Sequence, residues 1–135
     1  MVDIIWNDLE VSAREVVMQA ARQFAQAFAE TEQYRAFERA YDAFRQDAEA
    51  QNARLEFQKK YASLKALLML NAVGDEDRQE LNRLQDRFYQ LPSVKHYAQA
   101  QEELIALAQE IGDFISSSIG LDFGNSCRTG GSCCG

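Results

Sequence analysis

The sequence holds a single proline, Pro92, and only two glycines, Gly74 and Gly112, before residue 119. Helix-breaking residues are nearly missing from that stretch, so strands bounded by glycine and proline clusters are disfavoured and long helices are not. Cysteine is absent until Cys127, which excludes a disulfide framework through the body of the chain. A lone histidine, His96, excludes the paired Glu-x-x-His motifs of bundle di-iron sites within one chain. Neither a phosphate-cradling glycine loop, nor a nucleophile elbow, nor a Cys-x-x-Cys pair occurs. No apolar run reaches the length that spans a bilayer. The opening "MVDIIWNDLE" has neither the basic nor the apolar region of a secretory signal. A cytoplasmic chain with reduced thiols is the expectation.

Basic residues run out early. After Lys95 only Arg128 is basic, while Glu102, Glu103, Glu110, Asp113 and Asp122 are acidic, and the formal net charge is −7. Nucleic-acid affinity rests largely on Lys and Arg neutralising phosphates, so autonomous binding to DNA or RNA is disfavoured. The C-terminal end is expected to face protein.

What the sequence has in abundance is apolar spacing of three and four. Its 135 residues, 47% hydrophobic and 26% charged, suit one domain with one core. Val17, Ala20, Phe24 and Ala27 or Phe28 form a first stripe. Thr31, followed by Glu32, suits the N-cap of a second helix, whose seam is Tyr34, Phe37, Tyr41 and Phe44. Asp47 can cap a third segment carrying Phe57, Tyr61, Leu64 and Leu68, although the pattern equally allows one long bent helix. At "GDED", residues 74–77, Gly74 suits a left-handed C′ position and Asp75 an N-cap. Leu81, Leu84, Phe88 and Leu91 make the fourth stripe, ended by Pro92, which favours a helix restart. Val94, Tyr97, Leu104, Leu107 or Ala108, Ile111, Phe114, Ile115 and Ile119 mark the last helix.

The fold expected is therefore all-α, an antiparallel bundle of four or five helices over residues 1–120, followed by a flexible Gly/Cys-rich tail over 121–135. The aromatic seam reads first as core packing and otherwise as contact with a second chain. The many carboxylates belong on solvated helix faces, and no catalytic constellation stands out.

The tail reads "GNSCRTGGSCCG" and gathers all three cysteines, Cys127, Cys133 and Cys134. Ordering its last nine residues costs on the order of 9 to 18 kcal/mol of backbone entropy, with the glycines toward the high end. A disulfide from Cys127 contributes about 2 to 4 kcal/mol and leaves one thiol over. The adjacent pair is worse placed, with Cα atoms about 3.8 Å apart against a usual minimum near 4.4 Å. Metal ligation is on the right scale, because structural zinc in small peptides gives about 10 to 16 kcal/mol. Iron–sulfur clusters also take thiolates, normally four, so three cysteines need one more ligand. Asp122 is a local candidate, and a donor from a second chain is the other. His96 is a poor one: it lies about 36 Å from the end of a straight last helix, and a seven-residue return covers about 24 Å. On spacing alone, ligation, redox or disulfide chemistry, and an inert tail all stay open.

The runs "ARQFAQAFAETEQYRAFERAYDAF", "DAEAQNARLEFQ" and "LPSVKHYAQAQEELIALAQEIGDFISSSIGLDFG" resemble the YlbF/YmcA family of bacterial control-of-competence regulators, over roughly residues 10–124. The most specific parts are Thr31 with Gln33 and Tyr34, the Asp47 to Gln51 segment, and the spacing of Pro92, Val94 and Tyr97. The resemblance implies a small, helical, non-enzymatic cytoplasmic adaptor that forms dimers and hetero-complexes. It further implies YmcA-like and YaaT-like partner subunits, a 4Fe–4S cluster, and action with the endoribonuclease RNase Y in mRNA processing, besides effects on competence, sporulation and biofilm formation. In YlbF-like members a cysteine-bearing C-terminal tail supplies cluster ligands, a role that falls here on Cys127, Cys133 and Cys134. Many relatives lack that tail, and adjacent Cys133 and Cys134 are a departure from simple knuckle spacing.

The leading expectation is thus an iron–sulfur-associated regulatory adaptor, with Asp122 and Phe123 seating the tail on the last helix. The alternatives are a helical dimer with structural zinc or an inert tail, and an enzyme using a reactive thiol. The last lacks any base or oxyanion partner beside the cysteines.

Overall fold

The computed structural model describes residues 2–123, with side chains from residue 13 onward. Among the described residues the chain is all-α, with five helices: α1 (Val2–Ala29), α2 (Glu32–Gln46), α3 (Ala48–Met69), α4 (Asp75–Gln90) and α5 (Pro92–Ile119). It divides into two compact units, one ending at Arg35 and one beginning at Ala36.

The first unit is α1 with the turn that follows it. Thr31 makes that turn by accepting from the backbone N–H of Tyr34 at 3.2 Å and donating to the Phe28 carbonyl at 2.7 Å. One hydroxyl thereby satisfies the end of one helix and the start of the next. Phe28 meets Phe24 with the rings tilted and Tyr34 edge to face, each at 5.9 Å between ring centroids.

In the second unit, α2 and α3 are separate helices, and the break between them is made by Asp47. Its backbone is extended, and its carboxylate accepts from the N–H groups of Glu49 and Ala50 at 3.0 and 3.3 Å. Helix α3 ends in a Schellman motif: Ala72 N–H bonds to the Leu67 carbonyl at 2.8 Å and Asn71 N–H to that of Leu68 at 3.1 Å. The left-handed residue there is Asn71, with φ 51°, and not Gly74 as the sequence suggested. Gly74 is instead the extended N-cap of α4, and Asp75 is that helix's first residue. Asparagine tolerates the left-handed region well enough to end a helix without glycine.

Helices α3 and α4 pack antiparallel. Lys60 pairs with Asp77 at 2.7 Å and Arg87 with Glu56 at 2.9 Å, so residue numbers rise on one helix as they fall on the other. These pairs are largely exposed and set register more than stability. Leu91, extended as a residue before proline must be, is both the C-cap of α4 and the N-cap of α5, with Pro92 in the first turn.

The core is small. Among the described residues its buried members are Ala40, Phe44, Ala50, Ala53, Leu64, Val73, Leu84, Val94 and Ala100, and four of these are alanine. Alanine lets helix backbones approach closely, so the packing tolerates little added volume. Phe44, Ala50 and Val94 form the centre, with Phe88, Leu91 and Tyr97 against it. Tyr97 of α5 stands against three rings of α2: Phe37 at 5.6 Å, Tyr41 at 5.7 Å and Phe44 at 5.3 Å. Three of the four residues of the aromatic seam therefore serve as intrachain packing, while Tyr34 belongs to the first unit.

Ala50 is fully buried. Ala50→Leu is expected to overpack this junction and lower stability by about 1 to 3 kcal/mol, read as a lower urea midpoint with helix content retained.

Candidate functional site

Three places in the chain are candidates by their geometry: the corner at Asp47, the exposed faces of the long helices, and the end of α5 that leads toward the cysteines. At the corner, the second carboxylate oxygen of Asp47 accepts from the Ser93 hydroxyl at 2.5 Å. Gln51 donates from its side-chain amide to the Phe44 carbonyl at 2.8 Å, closing the end of α2. The Asp47–Gln51 segment and the Pro92–Tyr97 segment, far apart in sequence, thus form one junction. Ser93, and then the N–H groups of Ala50 and Glu49, hold the Asp47 carboxyl below its ordinary value against the opposing effect of desolvation. In this corner the Asp47 carboxylate, the Ser93 hydroxyl and the Gln51 amide all bond within the chain. At the surface of α4, Arg83 lowers the Glu80 carboxyl by direct hydrogen bonding, and Glu80 raises the Arg83 guanidinium in return.

The exposed apolar surface is the larger functional signal. Every described side chain of α1 from Ala13 to Ala27 is exposed, including Val16, Val17, Met18 and Phe24. On the second unit Leu55, Tyr61, Leu67, Met69 and Leu70 are exposed along α3 and its end. The distal part of α5 exposes Ile105, Ile119 and, at 71%, Phe114. Side chains of this size left in water on regular helices mark surfaces that other proteins cover.

Helix α5 ends at Gly120, whose left-handed backbone, φ 67°, turns the chain. The backbone N–H of Phe123 then donates to the Ser116 hydroxyl at 3.1 Å, drawing the chain back toward the helix. Leu121 and Phe123 are exposed there. The three sequence-predicted ligands, Cys127, Cys133 and Cys134, lie outside the described residues. Asp122, the suggested local ligand, sits in the hooked turn beside a shallow groove of about 290 Å³ lined by Ile105, Ala108, Gly112, Asp113 and Ser116. His96 is exposed near the start of α5, at the end remote from that exit. Among the described residues no His, Cys, Asp or Glu group of three is gathered as a metal would need. No helix among them is long and apolar enough to cross a membrane. The groove was not anticipated from the sequence; the signal that points to it is Gly112, a glycine inside an otherwise regular helix.

Because the folded Asp47 carboxyl titrates below its unfolded value of about 3.8, its contribution is present above that pH and lost as pH falls through the depressed folded value. Asp47→Asn keeps an N-cap but no charge, so wild type should melt higher near pH 7, with the difference closing below about pH 3.8 in thermal scans.

No curated protein and no solved structure matches the chain. The family described as control of competence regulator ComK, YlbF/YmcA, matches residues 17–120, from the middle of α1 to the end of α5. That stretch is most of the chain and includes both segments of the Asp47 corner, the α3–α4 hairpin and the long α5; the chain belongs to the YlbF/YmcA family of competence regulators.

Proposed function

We propose that this chain is a non-enzymatic cytoplasmic adaptor that assembles with further protein subunits and carries a 4Fe–4S cluster on Cys127, Cys133 and Cys134. The observation that carries the reading is a separation of chemistries. The described helices expose apolar faces fit for partners, and every thiol of the sequence stands together beyond the hook at Phe123. Membership of a regulator family agrees with an adaptor.

The donor set fits a cluster in kind. Three thiolates are soft ligands for iron–sulfur, and the fourth comes from a partner chain or from Asp122. Glycines around the cysteines let the backbone follow the inorganic core. When bound, the cluster supplies a redox-sensitive group at the surface where partners meet. This chain's own residues do the rest: Gly120 turns the backbone, Ser116 holds it, and the apolar faces bind. The partners in this reading are YmcA-like and YaaT-like subunits, together with RNase Y, whose action on mRNA the assembly modulates in competence, sporulation and biofilm development. The negative charge of the distal α5 suits a protein partner and not an RNA backbone.

Protein purified without oxygen, with the companion subunits supplied, is expected to hold iron and sulfide and to absorb broadly in the visible. Serine at Cys127, Cys133 and Cys134 should abolish both while leaving the circular dichroism of the helices unchanged. A colourless zinc-loaded protein, or one that stays metal-free with every subunit present, overturns the cluster reading.

A further inference from the structure

Helix α3 is apolar on two opposite sides. Taking Leu55 as the reference, Ala48, Ala62, Ala66 and Met69 lie within about 40° of it, while the buried Ala50, Ala53 and Leu64 lie about 140° to 180° away. The buried side is taken up by the rest of the second unit, chiefly by α4. The other side is bare. Ala48, Leu55, Ala62, Ala66 and Met69 are all exposed, Leu55 at 47% and Met69 at 80%, and Leu70 at the helix end is 76% exposed. Apolar residues on both sides of a helix are the pattern of one with neighbours on both sides. From Ala48 to Met69 the stripe runs about 32 Å, enough to lie along a helix of about 21 residues.

Charge says what that second neighbour carries. Lys59 lies about 40° from Leu55 on one edge of the stripe, and Lys65 and Arg54 lie about 80° and 100° from it on the other. All three are exposed and form no ion pair among the described residues, although the chain as a whole carries −7. The two carboxylates of α3 do not offset them. Glu56, about 100° round on the Lys59 edge, is already paired with Arg87 at 2.9 Å, and Glu49 stands about 120° round. An apolar stripe with unpaired cations on both edges is complementary to an apolar stripe edged by carboxylates.

We infer that this outer side of α3 docks an amphipathic helix of another protein, one whose apolar stripe is flanked by aspartate or glutamate. Ala48, Leu55, Ala62 and Met69 recur every seven residues, the seam spacing of one helix laid along another. Leu55 and Met69 supply the area, and the alanines between them let the helix axes approach. A second copy using the same face would set these cations against their own kind. Insertion into a membrane surface calls for bulky aromatic and leucine side chains across the face, which the three alanines do not supply. A nucleic-acid strand calls for aromatic platforms among the cations, and the aromatics of α3, Phe57 and Tyr61, lie about 160° and 120° away from Leu55.

This inference rests on the part of the adaptor reading in which the chain binds other proteins, and it adds the chemistry of one partner; no metal enters it. The adaptor reading is tested by assembly with the companion subunits and by iron and sulfide, so the two can fail separately. The test here uses the full chain with serine at Cys127, Cys133 and Cys134. The probe is a labelled helical peptide of about 21 residues, with leucine along a heptad seam and glutamate on both flanks, and its twin carries lysine in place of glutamate. By fluorescence anisotropy the glutamate peptide should bind at least tenfold more tightly than the twin. Lys59→Glu combined with Lys65→Glu should weaken the glutamate peptide tenfold or more and reverse the preference, and Leu55→Asp should abolish binding of both. These variants should keep the parent's urea midpoint, because the side chains project away from the core. No binding of the glutamate peptide, equal binding of the twin, or binding unmoved by Leu55→Asp overturns the proposal. So does displacement of the peptide by an oligouridylate or by phosphatidylglycerol vesicles, or a parent dimer that Leu55→Asp dissociates.

Discussion

One carboxylate organises the second unit. Asp47 ends α2, starts α3 and reaches across to Ser93 in the first turn of α5. Without that connection the apolar periodicity of α2 and α3 has no reason to break where it does. The corner also places Phe44, Ala50 and Val94 in contact, and it sets Tyr97 against the rings of α2. Electrostatics and packing reinforce each other here. The hydroxyl and two N–H groups satisfy the anion, and the alanine at the start of α3 lets the helices close around it.

Away from the corner the chain buries little. Among the described residues four of the nine buried side chains are alanine, and each of these contributes modest transfer free energy, while leucine, isoleucine, methionine and phenylalanine stand in water elsewhere. Family membership and exposed helix faces both agree with a regulatory protein that acts through other proteins.

The helices were legible because their stripes are long and regular, and Thr31 and Pro92 act through chemistry that sequence displays directly: a hydroxyl before a carboxylate, a ring that fixes φ. The separation of α2 from α3 was only half legible. Apolar spacing continues on both sides of Asp47, and the break depends on three hydrogen bonds, one from a residue 46 positions away. Gly74 drew attention as the expected left-handed residue, but Asn71 adopts that conformation because its carbonyl-to-amide pattern closes α3 earlier. The tail was conspicuous by composition. Gly112 was not, because a glycine's significance depends on whether its missing Cβ has room, and only three-dimensional structure shows that.

The order in which helices touch has a kinetic consequence. The α3–α4 and α4–α5 contacts join neighbours in the chain and close short loops, a topology associated with rapid folding. The Asp47–Ser93 link and the rings around Tyr97 instead join α2 to α5, across the whole hairpin. Their loop-closure entropy is larger, so they are expected to form after the hairpin has assembled. Substitutions at Ser93 or Tyr97 should then accelerate unfolding more than they slow folding, leaving the α3–α4 pair as the template on which nascent chains first become compact.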